Sequence, residues 1–341
     1  MARRGVAANS PNDMKVIDVH THIVPAHIPD ERGRGSLWPS VSAIRHDEAV
    51  VVIDGKPFRT IDSRCWDTRR RLDDMARENV AIQVLSPMPE LLSHWIAPAD
   101  AEFLSSIVNE AIAGMVAAAP NHFIGLGMIA AQDPGGAGVA LRRVADLGLA
   151  GIEIGTHING VPLGDESLWP IYEAAEANDL AIFVHPLHPC GLTRIGKPTE
   201  VGIVASFPLE IAMAALSLMG GGVMNHFPKL RILLSHGGGA LPSVLGRMEM
   251  ARKLLPAIDK VLGEDAWQVA RRFWYDSNVY DPGTLEVLAD RIGIDRLLVG
   301  SDYPFLIRQS HPGDFVEKAL PSSNEQFCGN ARRFLARPRG G

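Results

Sequence analysis

Cysteine is scarce in this chain: there are three in 341 residues, Cys65, Cys190 and Cys328, with no Cys-x-x-Cys pair. That scarcity excludes a disulfide framework and a thiolate zinc site, and it fits a reducing cytoplasm. A strong charge excess is missing as well. The net charge of -6 supplies no basic field to gather phosphate backbones or anionic lipid, so neither nucleic acid nor a membrane surface is an expected partner. Behind Met1-Ala2-Arg3-Arg4-Gly5 the residues are small and polar and form no apolar signal core, and residues 1–13 read as a frayed leader. The most apolar helical stretch, Ala111 to Ala119, is too short for a membrane span, and the expectation is a soluble chain.

What the chain does hold is apolar residues in a regular rhythm. At 46% hydrophobic and 21% charged it can fill a large core. Eight short runs rich in Val, Ile and Leu recur: Val16–Val19, Ala81–Leu85, Ile124–Gly127, Gly151–Ile154, Ala181–Val184, Arg231–Leu234, Phe273–Asp276 and Leu297–Gly300. Helical spacing follows each run, at Asp67–Asn79, Pro98–Ala118, Gly136–Asp146, Ser167–Asn178, Leu209–Gly220, Leu241–Leu254, Pro282–Ile292 and Asn324–Leu335. Eight β/α units predict an α/β fold of the closed (β/α)8 TIM-barrel type, one domain over residues 14–341. Residues 25–66 break the rhythm; Val50 to Arg59 reads as a hairpin about Asp54-Gly55, inserted over the barrel mouth between the first strand and the first helix.

Functional side chains of such a barrel gather at the C-terminal ends of strands. The first run ends in His20-Thr21-His22, the fourth in Thr156-His157, the fifth in His185-Pro186, the sixth in Ser235-His236-Gly237-Gly238-Gly239 and the eighth in Ser301-Asp302-Tyr303-Pro304. Residues two apart on a strand face the same way, so His20 and His22 can offer imidazole nitrogens to one cation. Alone that pair means little, since 12 histidines in 341 residues give about 0.4 such pairs by chance. His185 alone could be a core histidine bonded to a carbonyl, but after an apolar run and before proline, in this fold, a ligand is the better reading. Asp302 closes an apolar strand, where an ionised carboxylate needs a cation or donors beside it.

Three imidazoles and one carboxylate suit zinc, with a position left for water or substrate; manganese, iron or cobalt also fit. His236 is assigned to acid/base work rather than ligation. The glycines after it match no phosphate-loop pattern and are read as space for substrate. His157 reads equally as a substrate contact or a supporting histidine. Glu153 could bridge a second metal, though an outward-facing glutamate is the simpler explanation.

The residues together resemble the amidohydrolase superfamily, and within it the aminocarboxymuconate semialdehyde decarboxylase branch. The likeness runs from about Ile17 to Leu335 and is carried by Ile17-Asp18-Val19-His20-Thr21-His22, Pro57-Phe58-Arg59, Ile154-Gly155-Thr156-His157, Phe183-Val184-His185-Pro186, His236-Gly237-Gly238-Gly239-Ala240 and Asp302-Tyr303-Pro304-Phe305. It implies one zinc held by His20, His22, His185 and Asp302, catalysis by His236 with Asp302, and a homodimer. It also implies that Arg59 grips a substrate carboxylate, with His157, Leu187 and Phe305 the other substrate-facing candidates. Two departures stand out. Leu187 replaces the family's tryptophan after the fifth-strand His-Pro, and the family's further arginine, which reaches a partner subunit's site, falls near Leu255, with Arg252 and Lys253 close by. The implied reaction is non-oxidative decarboxylation of a small unsaturated or aromatic carboxylic acid; the rival is a hydrolase that uses the metal to activate water against a lactone, ester or amide.

Overall fold

The computed structural model describes residues 16–29, 34–198 and 200–336; the leader expected over residues 1–13 lies outside them. Eight parallel strands form one sheet in sequential order: β1 (Ile17–Ile23), β2 (Ile82–Pro87), β3 (Phe123–Gly127), β4 (Gly151–Gly155), β5 (Ala181–His185), β6 (Ile232–Leu234), β7 (Trp274–Asp276) and β8 (Leu297–Leu298). The sheet closes on itself. Val19 N donates to Val299 O at 2.8 Å and His22 N to Tyr303 O at 2.7 Å, which joins the chain at and beyond β8 to β1. All eight strands expected from the apolar runs are present, because strands covered by helices on one face and by the lumen on the other are apolar on both.

Eight helices follow the strands: α1 (Thr68–Arg77), α2 (Pro98–Ala118), α3 (Ala137–Asp146), α4 (Trp169–Ala177), α5 (Glu200–Gly220), α6 (Leu241–Leu254), α7 (Pro282–Ile292) and α8 (Asn324–Leu335). Their ends follow local chemistry: Asp67 caps α1 by accepting from Arg70 N, and Asp281 caps α7 by accepting from Thr284 N. A large apolar layer lies between barrel and helices. A smaller cluster, with Ile17, Val19, Phe183, Leu233 and Leu298 at its centre, fills the lumen and is closed by Phe334 of α8.

Three expectations need correction. Helix α5 begins at Glu200, nine positions before Leu209, and runs through Pro208. Its first turns carry Val201, Ile203 and Val204 exposed above the barrel, so no core-facing stripe marks them in the sequence. The expected insertion falls one strand short: the hairpin about Asp54-Gly55 is present as Glu48–Ile53 paired with Lys56–Asp62, and a third antiparallel strand, Ser40–Arg45, lies beside it. Asp54 and Gly55 both have positive φ, 52° and 66°, as a tight hairpin turn demands, whereas the mostly exposed first strand lacks the apolar alternation that would reveal it. Finally, α2 and α5, at 21 residues each, are long and apolar enough to cross a membrane by length and composition. Both lie against the barrel, with Leu104, Val108 and Ile112 of α2 and Ile211, Ala215 and Leu218 of α5 fully buried.

The first strand is anchored by a cation. Arg71 of α1 is fully buried; Nε donates to Arg64 O at 2.8 Å, Nη1 to Gln83 Oε1 at 3.0 Å and Thr21 Oγ1 at 3.2 Å, and Nη2 to His22 O. Replacing it strands these acceptors away from water. Arg71→Leu is expected to lower the unfolding free energy by about 3 kcal/mol, since each buried unsatisfied group costs about 1–3 kcal/mol; urea unfolding followed by circular dichroism measures it.

Candidate metal centre

His20, His22, His185 and Asp302 meet at the C-terminal mouth of the barrel, each offering one ligand atom within 4.8 Å of the others, and all four are buried. His20 Nε2 lies 3.1 Å from His22 Nε2, and Asp302 Oδ1 lies 3.3 Å and 3.2 Å from these two nitrogens. On β1 the register shifts between Asp18, opposite Gln83, and Thr21, opposite Leu85. That irregularity breaks the strict alternation, so Ile17 and Val19 fill the lumen below while His20 and His22 project into it above.

The opposite edge of each imidazole is engaged. His20 Nδ1 donates to Asp276 Oδ2 at 2.6 Å, His22 Nδ1 to Pro87 O at 2.8 Å and His185 Nδ1 to Pro186 O at 3.0 Å. With Nδ1 donating, Nε2 is the coordinating atom, the arrangement that orients metal-bound histidines. His185 Nε2 and Asp302 Oδ1 are buried without a hydrogen-bond partner, which a divalent cation between them would supply. The four residues therefore fit such an ion and form a divalent-metal site. Burial alone would raise the Asp302 carboxyl, but His20 and His22 outweigh it and hold it well below the usual range. Burial, then His22 and His20, depresses His185 well below an ordinary histidine. In His20 burial is outweighed by Asp302 and Asp276, which push its pKa up to about 10.

Asp276 was not assigned a role from the sequence, and it is central. Besides His20 it accepts from Gly237 N at 3.0 Å and Asn278 N at 3.1 Å through Oδ1. It ends the apolar run of β7 as Asp302 follows that of β8, and the same reasoning about a carboxylate on an apolar strand would have found it.

His236 stands beside the ligands, its ring centroid 5.2 Å from that of His20 and 5.4 Å from that of His185. Its Nδ1 is 3.3 Å from Asn278 Nδ2, and its Nε2 is buried with no protein partner. Burial lowers its pKa below the ordinary value. The backbone there is constrained: His236 has φ 52° and Asp302 has φ 69°, left-handed conformations that non-glycine residues adopt at a cost. Of the glycines expected to leave space for substrate, Gly239 lines the cavity over this group, and the run is also held close to its neighbours. A Cβ at Gly238 would come within 2.6 Å of the Tyr275 ring and one at Gly239 within 2.0 Å of Pro208 O, so these positions let the loop pack closely on its neighbours.

A cavity of about 480 Å3 opens over the group, lined by His185, His236 and Asp302 with Arg59, Glu90, Asn278, Phe305 and the apolar residues Ile203, Val204 and Phe207. The Arg59 guanidinium lies 4.3 Å over the Phe305 ring, which stacks in turn on His22 at 4.9 Å and 19°. The insertion thus carries Arg59 to the mouth. His157 and Leu187 are absent from that lining: Leu187 is buried, and His157 Nε2 faces His188 O at 3.4 Å and Glu210 Oε1 at 4.0 Å. Arg252 is held by Glu249 and Asp259, and Lys253 Nζ lies 3.4 Å from Glu249, so neither lines this cavity. Glu153, expected to face outward, is fully buried and sits 3.5 Å from His22 Nδ1, on the ring edge opposite the coordinating nitrogen.

Two outcomes follow. Asp276→Asn weakens the acceptor that orients His20 and is expected to reduce metal affinity about 10–100-fold with the fold retained, measured by competition with a chelating dye. Because Asp302 and Asp276 hold a proton on His20 up to about pH 10, a cation taking Nε2 must displace it. Affinity therefore rises with pH, and calorimetry in buffers of different ionisation enthalpy should register proton release on binding.

Residues 17–337 match the amidohydrolase family profile. The chain is 37% identical over 331 residues to a 2-amino-3-carboxymuconate-6-semialdehyde decarboxylase of Dictyostelium discoideum, covering 94% of this chain and 91% of that protein. Among solved structures it resembles the 5-carboxyvanillate decarboxylase of Sphingomonas paucimobilis, with 27% identity, a TM-score of 0.72, and 80% and 84% of the two chains covered. It also resembles a dihydroxybenzoic acid decarboxylase of Polaromonas sp. with bound manganese and the inhibitor 2-nitroresorcinol, at 25% identity, a TM-score of 0.69, and 80% and 87% covered. A closed eight-stranded barrel, a three-histidine, one-aspartate group at its mouth and these likenesses converge: the chain belongs to the amidohydrolase family.

Proposed function

We propose that the protein is a zinc-dependent, non-oxidative decarboxylase of a small unsaturated or aromatic carboxylic acid. The observation that carries this reading is the sharing of one cavity by the ligand group, His236 and Arg59. The names of the relatives in the same family support it, and a cavity of about 480 Å3 matches a single-ring or comparable unsaturated acid.

His20, His22, His185 and Asp302 would hold the zinc ion, which would supply Lewis-acid chemistry toward substrate oxygen. The remaining tasks belong to the chain. Arg59 holds a substrate carboxylate through its planar fork, steadied by Phe305 beneath it. Loss of CO2 breaks a carbon–carbon bond and leaves its electron pair on carbon, which must then take a proton. His236 Nε2 is buried with no protein partner, which leaves that nitrogen free to carry a proton taken up by the ring to that carbon. Ile203, Val204 and Phe207 form an apolar wall that limits water around the reacting carbon. Glu153, behind His22 rather than beside the shared ligand atoms, gives the hydrolytic alternative no bridging ligand.

Zinc-loaded enzyme should release CO2 from members of a panel of aromatic and muconate-type acids, and chelation should abolish that release until zinc is restored. His236→Ala is expected to lower kcat about 10²–10⁴-fold while retaining its metal, and Arg59→Lys to raise KM about tenfold or more through loss of the bidentate fork. Ester or lactone hydrolysis by the zinc enzyme with no CO2 release from any acid would overturn the assignment, as would unchanged turnover in His236→Ala.

A further inference from the structure

Asn278 lies just beyond β7 and is buried beside His236 at the cavity that both residues line. Its backbone N donates to Asp276 Oδ1 at 3.1 Å, and the same oxygen accepts from Gly237 N at 3.0 Å. One carboxylate oxygen therefore sets the main chain at Asn278 against the main chain next to His236. The two side chains meet across that junction, with Asn278 Nδ2 3.3 Å from His236 Nδ1, while Asn278 Oδ1 is buried with no hydrogen-bond partner. His236 differs here from the histidines of the metal group. Their Nδ1 atoms face oxygens that can only accept: Asp276 Oδ2 for His20, Pro87 O for His22 and Pro186 O for His185. Nδ1 of His236 faces a side chain that holds both a donor and an acceptor.

Which end of the amide serves the ring follows from what the ring has to do. A neutral imidazole carries one N–H, and giving that hydrogen to carbon would leave an imidazolate, an anion too basic to form near neutral pH. Delivery from Nε2 therefore starts from the imidazolium, with hydrogen on both nitrogens, and ends with a neutral ring that keeps Nδ1–H. Uptake runs the same way in reverse: the neutral ring with Nδ1–H takes the incoming proton on a bare Nε2. Nδ1 is a donor at every stage, so its partner must accept. The two ends of a primary amide are alike in size, and a half-turn about the terminal bond of Asn278 sets Oδ1 where Nδ2 stands. That turn gives the unpartnered oxygen its donor. We propose that Asn278 is the positioning residue of His236: its amide oxygen accepts from Nδ1–H and fixes the ring tautomer that leaves Nε2 to take up and deliver the proton. An amide does this without adding negative charge, whereas a carboxylate in its place would favour the charged ring and hold the proton back. The inference rests on His236 as the proton carrier of the proposed reaction and goes beyond it in assigning the residue that sets its tautomer.

NMR of isotope-labelled histidine rings in zinc-loaded protein reads the tautomer directly, the His236 signals being those missing from His236→Ala. In the neutral wild-type ring the hydrogen is expected on Nδ1, with Nε2 bare. Asn278→Leu, similar in size but without an acceptor, should let the hydrogen divide between the two nitrogens, whereas Asn278→Asp, which keeps an acceptor, should hold it on Nδ1. A side chain that only filled space would leave the tautomer unchanged on replacement by Leu. CO2 release gives a second readout. Asn278→Leu is expected to lower kcat about tenfold, the worth of one hydrogen bond, with KM changed by no more than about twofold. In a His236→Ala background the same substitution should change kcat by no more than about twofold, because Asn278 acts through that ring. A wild-type ring with its hydrogen on Nε2 overturns the proposal, as does an unchanged tautomer in Asn278→Leu or a tenfold loss that persists without His236. If Asn278→Leu fails to fold, the wild-type tautomer decides. That tautomer is read without turnover, so absence of CO2 release from every acid removes the decarboxylase assignment, while the ring spectrum alone decides the Asn278 assignment.

Discussion

The hydrogen bond between His20 Nδ1 and Asp276 Oδ2, 2.6 Å long and fully buried, is the interaction on which the rest of the centre depends. It spans the lumen between β1 and β7 and fixes which nitrogen of His20 faces the other ligands. The second carboxylate oxygen, through Gly237 N and Asn278 N, ties down the loop that carries His236 and the residue that contacts His236 Nδ1. One carboxylate thus sets the orientation of a metal ligand and of the acid/base candidate together. A buried carboxylate is affordable only when its acceptors are filled, and here three donors fill them.

Around that bond the barrel supplies rigidity. The closing hydrogen bonds from β1 to the chain at and beyond β8 place Asp302 against His20, whose carbonyl accepts from Asp302 N at 2.9 Å. Arg71 holds the other side of β1 through His22 O. The left-handed backbones of His236 and Asp302 persist because packed neighbours determine them: the loop after His236 presses on Pro208 and Tyr275, and Phe305 N donates to Asp302 O at 3.0 Å. Strain at these two residues aims their side chains into one cavity.

Much of this was legible in the sequence because it follows from period and from strand ends. Apolar runs at regular spacing marked all eight strands, and the polar residues closing them include the four that meet at the barrel mouth and His236 beside them. The unread parts share a physical character. The first strand of the insertion and the first turns of α5 do not face the core, so burial leaves no pattern in them. Asp276 closes an apolar run as Asp302 follows one, but the partner that explains it lies 256 positions away in the chain. Glu90 sits in a turn, where a glutamate ordinarily meets water, and only the fold shows it turned into the cavity. Leu187 and His157 were drawn in through motif position, yet the chain after β5 carries Leu187 into the core and leaves His157 against His188.

Charge sets the character of the cavity. Asp302, Asp276, Glu153 and Glu90 bring four carboxylates to the mouth of a low-dielectric barrel, and Arg59 is the guanidinium beside them. Donors satisfy Asp276, and a divalent ion would satisfy Asp302. Burial raises the Glu90 carboxyl while Arg59 opposes that rise. An anionic substrate entering here gains from the cation and Arg59 and loses against Glu90. Because burial favours the neutral form of Glu90, that repulsion is weaker than a solvated glutamate would exert, and Arg59 is left to hold the anion.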